Sequence, residues 1–333
     1  MSDFVRFPEQ TYIDAGNVFA AFDPTKASFT IANARALMWF AQLAYEVDDT
    51  GAEQTTDKIE RIRTRWGFDK ITPVRRQAVA FGGTFNTTGI VGERANAVIV
   101  AFAGTDPGVW ETVATDAAFA RDDQTDVHKG FQAATVPVMS FVSSAANLSG
   151  PQRPLFVTGH SLGAAIGILA AERLGDRAPR AVYGYGTPRP GGASFQARYN
   201  ARLGDVTYRL VHGLDLVARV PMGFLGYRHV GHVLPCATNA KFAGASFLPG
   251  RPDEPDFTAE TFAALLSVVS AAQALHFLSK LASGALLDDA ARLQALKDLL
   301  QPPGHGPIGE TFRILPPAIR EHLQDRYVAA LAP

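Results

Sequence analysis

Cysteine is almost missing from this chain: of 333 residues, only position 236 is one. A lone thiol closes no internal disulfide and brings no second sulfur to a thiolate metal site, so Cys236 reads as a small buried hydrophobe. An excess of either charge is missing too. With 31 Lys and Arg against 32 Asp and Glu the formal charge is −1. That leaves no global field to recruit nucleic acid or an anionic membrane, so nucleic-acid partners are disfavoured and any lipid contact must rest on apolar surface. Internal repeats and low-complexity tracts are absent as well. At 47% hydrophobic and 19% charged residues, the composition is that of a soluble globular protein with a sizeable core. The first nine residues lack the basic stretch and long apolar run of a secretory leader. The expectation is a cytoplasmic protein, or one exported without a recognisable N-terminal signal peptide.

One apolar stretch approaches the length of a membrane span. Residues 261–287 hold only His276 and Lys280 as potential charges, but their alanines, serines and Gln273 make them too polar for confident insertion. A capping helix is expected there, with an interfacial lipid-contacting helix as the alternative. The Pro- and Gly-rich segment 249–255 leads into this region. Residues 250–301 are the candidate helical cap of a single domain spanning 1–333.

Elsewhere the periodicities are clear. Residues 29–48 place apolar groups three and four apart and predict a helix, with a second over 54–65. Strands are predicted over 76–81, 87–93 and 97–102, the first two as an antiparallel hairpin and the third apolar throughout, as in a strand covered on both faces. Strands at 154–158, 180–185, 206–212 and 227–234 then alternate with helices at 129–147, 161–174 and 192–203, and a last helix covers 316–331. This βαβ order predicts an α/β fold with a mostly parallel central sheet and helices on both faces.

Residues 156–165 read Phe-Val-Thr-Gly-His-Ser-Leu-Gly-Ala-Ala, which sets Ser161 in a G-x-S-x-G frame between a strand and an alanine-rich helix. That context predicts a nucleophile elbow: a strained turn thrusts the serine outward, and the glycines at 159 and 163 leave room for neighbouring backbone. The N–H of Leu162 and the positive end of the helix dipole then face the place where an oxyanion forms. A serine hydroxyl needs a base and the base an orienting acid, sought here in the order Ser, Asp, His. Asp215 lies just past the C-terminal end of an apolar strand, where α/β sheets place their working residues, whereas Asp176 and Asp205 read as helix-end or turn residues. Composition does not choose among the eight histidines.

Five ordered segments together resemble the class 3 lipases, the filamentous-fungal lipase-like α/β-hydrolases: Ala-Phe-Ala-Gly-Thr-Asp (101–106), Val-His-Lys-Gly-Phe (127–131), Gly-His-Ser-Leu-Gly-Ala-Ala (159–165), Tyr-Gly-Thr-Pro-Arg-Pro-Gly (185–191) and Leu-Val-His-Gly-Leu-Asp-Leu-Val-Ala-Arg-Val-Pro (210–221). The resemblance runs from about residue 30 to 235 and implies an α/β-hydrolase fold. It implies His322 as the base, because Glu321-His322 and Tyr327 look like the family's C-terminal pattern with Glu in place of the usual Asp; His276 and His305 are the alternatives. It also implies that Thr105 joins Leu162 in the oxyanion hole, that 106–119 is a lid carrying Trp110, Val113 and Phe119, and that His128, His160, His229 and His232 are structural. Ala103 departs from the family, which usually has Arg before Gly-Thr. The implied activity is carboxylic ester hydrolysis through an acyl-enzyme, on acylglycerols or other lipid esters, at a transient lipid interface and without metal, organic cofactor or obligate protein partner. Phospholipase, thioesterase and feruloyl-type esterase share the machinery, and a non-catalytic lipid-binding protein is the alternative of another class.

Overall fold

The computed structural model describes residues 5–48, 55–80, 83–104, 120–221, 223–247 and 321–333. Seven strands form one sheet in sequence order, β1 (Lys70–Ala80), β2 (Gly83–Arg94), β3 (Ala97–Phe102), β4 (Leu155–His160), β5 (Ala181–Tyr185), β6 (Thr207–His212) and β7 (His232–Cys236). The hairpin β1–β2 and the pair β2–β3 are antiparallel, and β3 to β7 run parallel. The alternation of strand and helix predicts this mostly parallel sheet, and the family resemblance implies its α/β-hydrolase arrangement.

Around the sheet lie α1 (Glu9–Asp14), α2 (Ile31–Leu43), α3 (Asp57–Arg65), α4 (Lys129–Thr135), α5 (Met139–Asn147), α6 (Leu162–Arg173), α7 (Ala193–Leu203) and α8 (Gln324–Ala330). The alternation of β3 shows how two layers cover the sheet: Ala97, Ile99 and Ala101 pack with α2, while Val98, Val100 and Phe102 pack with α4, α5 and α6. Helix α2 starts where Thr30 Oγ1 accepts the Asn33 N–H at 3.0 Å, a side-chain N-cap. It buries Leu37, Met38 and Phe40 completely. Truncating any of these to alanine would cost about 2 to 5 kcal/mol.

Several boundaries differ from expectation. β1 begins at Lys70 rather than 76 and β2 at Gly83 rather than 87, because the antiparallel ladder pairs the two strands continuously from Lys70–Glu93 to Ala80–Gly83, past the segments whose alternation marks them. The helix expected over 129–147 breaks into α4, a 3-10 turn at Val136–Val138 and α5, because Pro137 lacks an N–H and its ring crowds the preceding turn. The strand expected over 227–234 begins only at His232, since Gly231 at φ +65° turns the chain out of the extended region just before it. The last helix begins at Gln324, and Leu323 is extended with ψ 146°, so His322 sits on a turn ahead of the helix. The lid expected at 106–119 and the cap expected at 250–301, with its helix at 261–287, lie outside the described residues. Among the described residues no helix is long and apolar enough to cross a membrane.

Candidate active site

Parallel strands deliver their C-terminal ends to one edge of the sheet, and the residues singled out from the sequence gather there. β4 ends at His160 and Ser161 follows with φ 60° and ψ −133°, a left-handed conformation that only a strongly determined turn sustains. What determines it is backbone crowding. The Ser161 N–H donates to the Tyr185 carbonyl at 2.9 Å, and its carbonyl accepts from Ala164 at 3.0 Å. A Cβ on Gly163 would collide with the carbonyls of Phe102 and Ala103, so α6 can start this close to β3 only with glycine there. Leu162 opens α6, and a first-turn N–H has no acceptor within its own helix.

Asp215 lies three residues past the end of β6 and is fully buried. Its Oδ1 accepts the Val217 N–H at 2.9 Å. Its carboxylate meets His322 Nδ1 at 2.9 and 3.0 Å, and Tyr327 Oη donates to Oδ2 at 2.5 Å. Burial alone would raise the Asp215 pKa; the charge of His322 and the hydrogen bonds from His322 and Tyr327 outweigh it and hold the carboxyl below its ordinary value. The pair closes over Gly186, which has φ +57°; a Cβ there would stand 2.6 Å from Asp215 Oδ2 and 2.7 Å from His322 Nδ1.

A second polar chain fastens the neighbouring loops. Gly104 N–H donates to Tyr45 Oη at 2.8 Å, and Tyr45 Oη lies 2.8 Å from His160 Nδ1. Because that hydroxyl accepts from Gly104, its own proton is directed to Nδ1, so His160 carries its proton on Nε2, which donates to the His322 carbonyl at 2.8 Å. Burial, and then the nearby His322, lower the His160 pKa to about 3, so His160 acts as a neutral strut between elbow and histidine turn. Its ring stacks on His322 with centroids 4.6 Å apart.

The structure thus brings Ser161, Leu162, Asp215 and His322 to one edge of the sheet. Thr105, Trp110, Val113, Phe119, His276 and His305 lie outside the described residues. Of the histidines expected to be structural, His160 lies at the site and the other three occupy other places. His128 Nδ1 caps α4 by accepting from Gly130 and Phe131, His229 Nε2 bonds the Ala218 carbonyl at 2.7 Å, and His232 stacks on Tyr208. Cys236 is buried at the end of β7. The sequence gives no role to Tyr45, which closes an apolar helix like any packing residue, and it marks Tyr327 only as part of a C-terminal pattern; the contact with Asp215 shows what Tyr327 does. Among the described residues no group of His, Cys, Asp and Glu is arranged to hold a metal ion.

Residues 99–224 match the protein family described as Lipase (class 3). The secreted mono- and diacylglycerol lipase 1 of Fusarium solani is 39% identical over 107 residues, which are 31% of this chain and 32% of that protein. Lipase A of the same description from Penicillium cyclopium is 43% identical over 82 residues, 24% of this chain and 26% of that protein. The chain therefore matches about a third or less of the length of these curated relatives. Among solved structures, an MDLA mutant from Penicillium cyclopium aligns with TM-score 0.53 at 19% identity, covering 69% of this chain and 92% of that one. Lipase II from Rhizopus niveus aligns with TM-score 0.51 at 20% identity, covering 70% and 91%. At such identity the likeness is one of fold.

Proposed function

From the match of residues 99–224 to the family described as Lipase (class 3), we propose that the chain is a serine-dependent carboxylic ester hydrolase acting on acylglycerols. The observation that carries this reading is the strained Ser161 elbow beside an Asp215–His322 pair closed over Gly186. Ser161 Oγ attacks the acyl carbonyl while His322 Nε2 takes its proton. Asp215, bonded to Nδ1, fixes the tautomer and balances the imidazolium. The Leu162 N–H, joined by that of Thr105, stabilises the oxyanion; each such donor is worth about 3 to 4 kcal/mol in the transition state. His322 returns the proton to the departing alcohol, and water, activated in the same way, releases the acid from the acyl-enzyme.

The curated relatives named above carry "secreted" and "mono- and diacylglycerol lipase" in their names, which supports an exported enzyme over a cytoplasmic one and acylglycerols over other esters. Trp110, Val113 and Phe119 are proposed to face lipid from the 106–119 segment, with 250–301 roofing the acyl pocket, and the substrate is met at a transient lipid surface. Release of p-nitrophenol from esters of increasing chain length, measured for wild type and Ser161→Ala, tests this. Serine-dependent turnover favouring medium or long chains is expected. A binding profile without turnover would identify a lipid-binding protein instead.

A further inference from the structure

The Asp215–His322 pair has a counterpart one step away. The end of β6 and the turn that follows it supply an imidazole at 212 and a carboxylate at 215; the turn ahead of α8 supplies a carboxylate at 321 and an imidazole at 322. Each carboxylate meets the imidazole of the other turn: Asp215 Oδ2 lies 2.9 Å from His322 Nδ1, and Glu321 Oε2 lies 2.5 Å from His212 Nδ1. Both members of the second pair are buried, His212 at 3% and Glu321 at 8% exposure. Their contact has the length of an ion pair without the alignment of a directed hydrogen bond.

The surroundings are shaped for this contact. Gly213 has φ +53°, and a Cβ on it would strike the Glu321 carboxylate and stand 2.7 Å from Thr238 Oγ1. The His212 N–H donates to Tyr327 Oη at 3.2 Å, and the same hydroxyl donates to Asp215 Oδ2. The two pairs are therefore joined through Tyr327. A buried carboxylate without a partner costs several kcal/mol, so Glu321 cannot leave His212 cheaply. Being adjacent to His322, it transmits its own position to that imidazole through a single peptide unit.

We propose that Glu321 and His212 are positioning residues, a second cross-turn pair that holds the C-terminal turn in register so that the His322 ring stays on Asp215 and faces Ser161. This rests on the ester-hydrolase reading, and its test has one readout that does not. In Glu321→Ala, kcat should fall about 10- to 100-fold with KM within about twofold, the size of loss that misplacement by a fraction of an ångström produces. Glu321→Gln, which keeps the volume and an acceptor for His212, should recover most of it, to about three- to tenfold below wild type. His212→Ala should match Glu321→Ala, and the double variant should be no worse than either single.

Proton NMR supplies the independent readout: the downfield Nδ1–H signal of His322, identified by its loss in His322→Ala, should broaden or vanish in Glu321→Ala and return in Glu321→Gln. Should Glu321→Ala fail to fold, Glu321→Gln and His212→Asn carry the same test, an intermediate fall in kcat at constant KM supporting the tie. Wild-type kcat in these variants, multiplicative losses in the double variant, or an unchanged His322 signal would overturn the proposal. If the wild type turns over no ester, the functional reading fails while the NMR comparison still decides the tie.

Discussion

His160 Nε2 donates to the backbone carbonyl of His322 at 2.8 Å, so the residue that precedes the elbow serine holds the turn that carries the base. His160 Nδ1 can accept from the Tyr45 hydroxyl only while the ring is neutral, and its pKa of about 3 keeps it so.

That lowered value carries a stability consequence. A histidine titrating near 6.5 when unfolded and near 3 when folded binds a proton in the unfolded state alone across that interval. Its contribution is complete above about pH 6.5 and is lost as pH falls toward 3, at up to about 1.4 kcal/mol per pH unit. His229, lowered mainly by burial, acts in the same direction. Urea unfolding midpoints between pH 7 and 4 should therefore drop less steeply in His160→Gln than in wild type; equal slopes would show that His160 titrates normally.

Asp215→Asn keeps the shape of the site and removes the charge that orients His322. Loss of about 10⁴ in kcat with a folded protein is expected, the scale on which a triad acid acts. A loss below about tenfold would place the orienting acid elsewhere.

Gly186→Ala should also be damaging, although it deletes nothing. The new methyl would sit 2.6 Å from Asp215 Oδ2 and 2.7 Å from His322 Nδ1, on a residue already at φ +57°. Overlap of this size pushes the pair apart, and a fall in kcat of about 10² or more is expected. Circular dichroism should show the fold retained, and wild-type turnover would contradict the placement of the pair.

Tyr45→Phe removes the acceptor of the Gly104 N–H and the donor to His160 Nδ1 together. Leaving those buried groups unpaired should cost about 1 to 3 kcal/mol of stability each at most. Because Gly104 immediately precedes Thr105, kcat should fall as well, read by thermal unfolding and ester turnover on the same preparation. A variant as stable and active as wild type would remove Tyr45 from the network.

The sheet and the elbow were legible because their signals are local. Apolar runs, the glycines flanking His160–Leu162 and the βαβ alternation each follow from neighbours in sequence. Asp215 was legible by its place after a strand. Which histidine faces it was not, since Asp215 and His322 are 107 positions apart and only the three-dimensional closure over Gly186 pairs them; family resemblance, not periodicity, pointed to His322. Tyr45 and the Glu321–His212 contact carry no local signature, and Tyr327 enters only as part of the family's C-terminal pattern without a role, because long-range hydrogen bonds leave no periodic trace. Boundaries slipped where one residue overrode a pattern, Pro137 inside a helix and Gly231 ahead of a strand.

The most direct measurement is intact-protein and peptide mass spectrometry after exposure to a fluorophosphonate, for wild type beside Ser161→Ala and Asp215→Asn. One adduct, carried by the peptide containing Ser161, is expected in wild type, with none in Ser161→Ala and a much slower reaction in Asp215→Asn. Unchanged labelling of Ser161→Ala, or no labelling of folded wild type, would contradict an activated serine at this elbow.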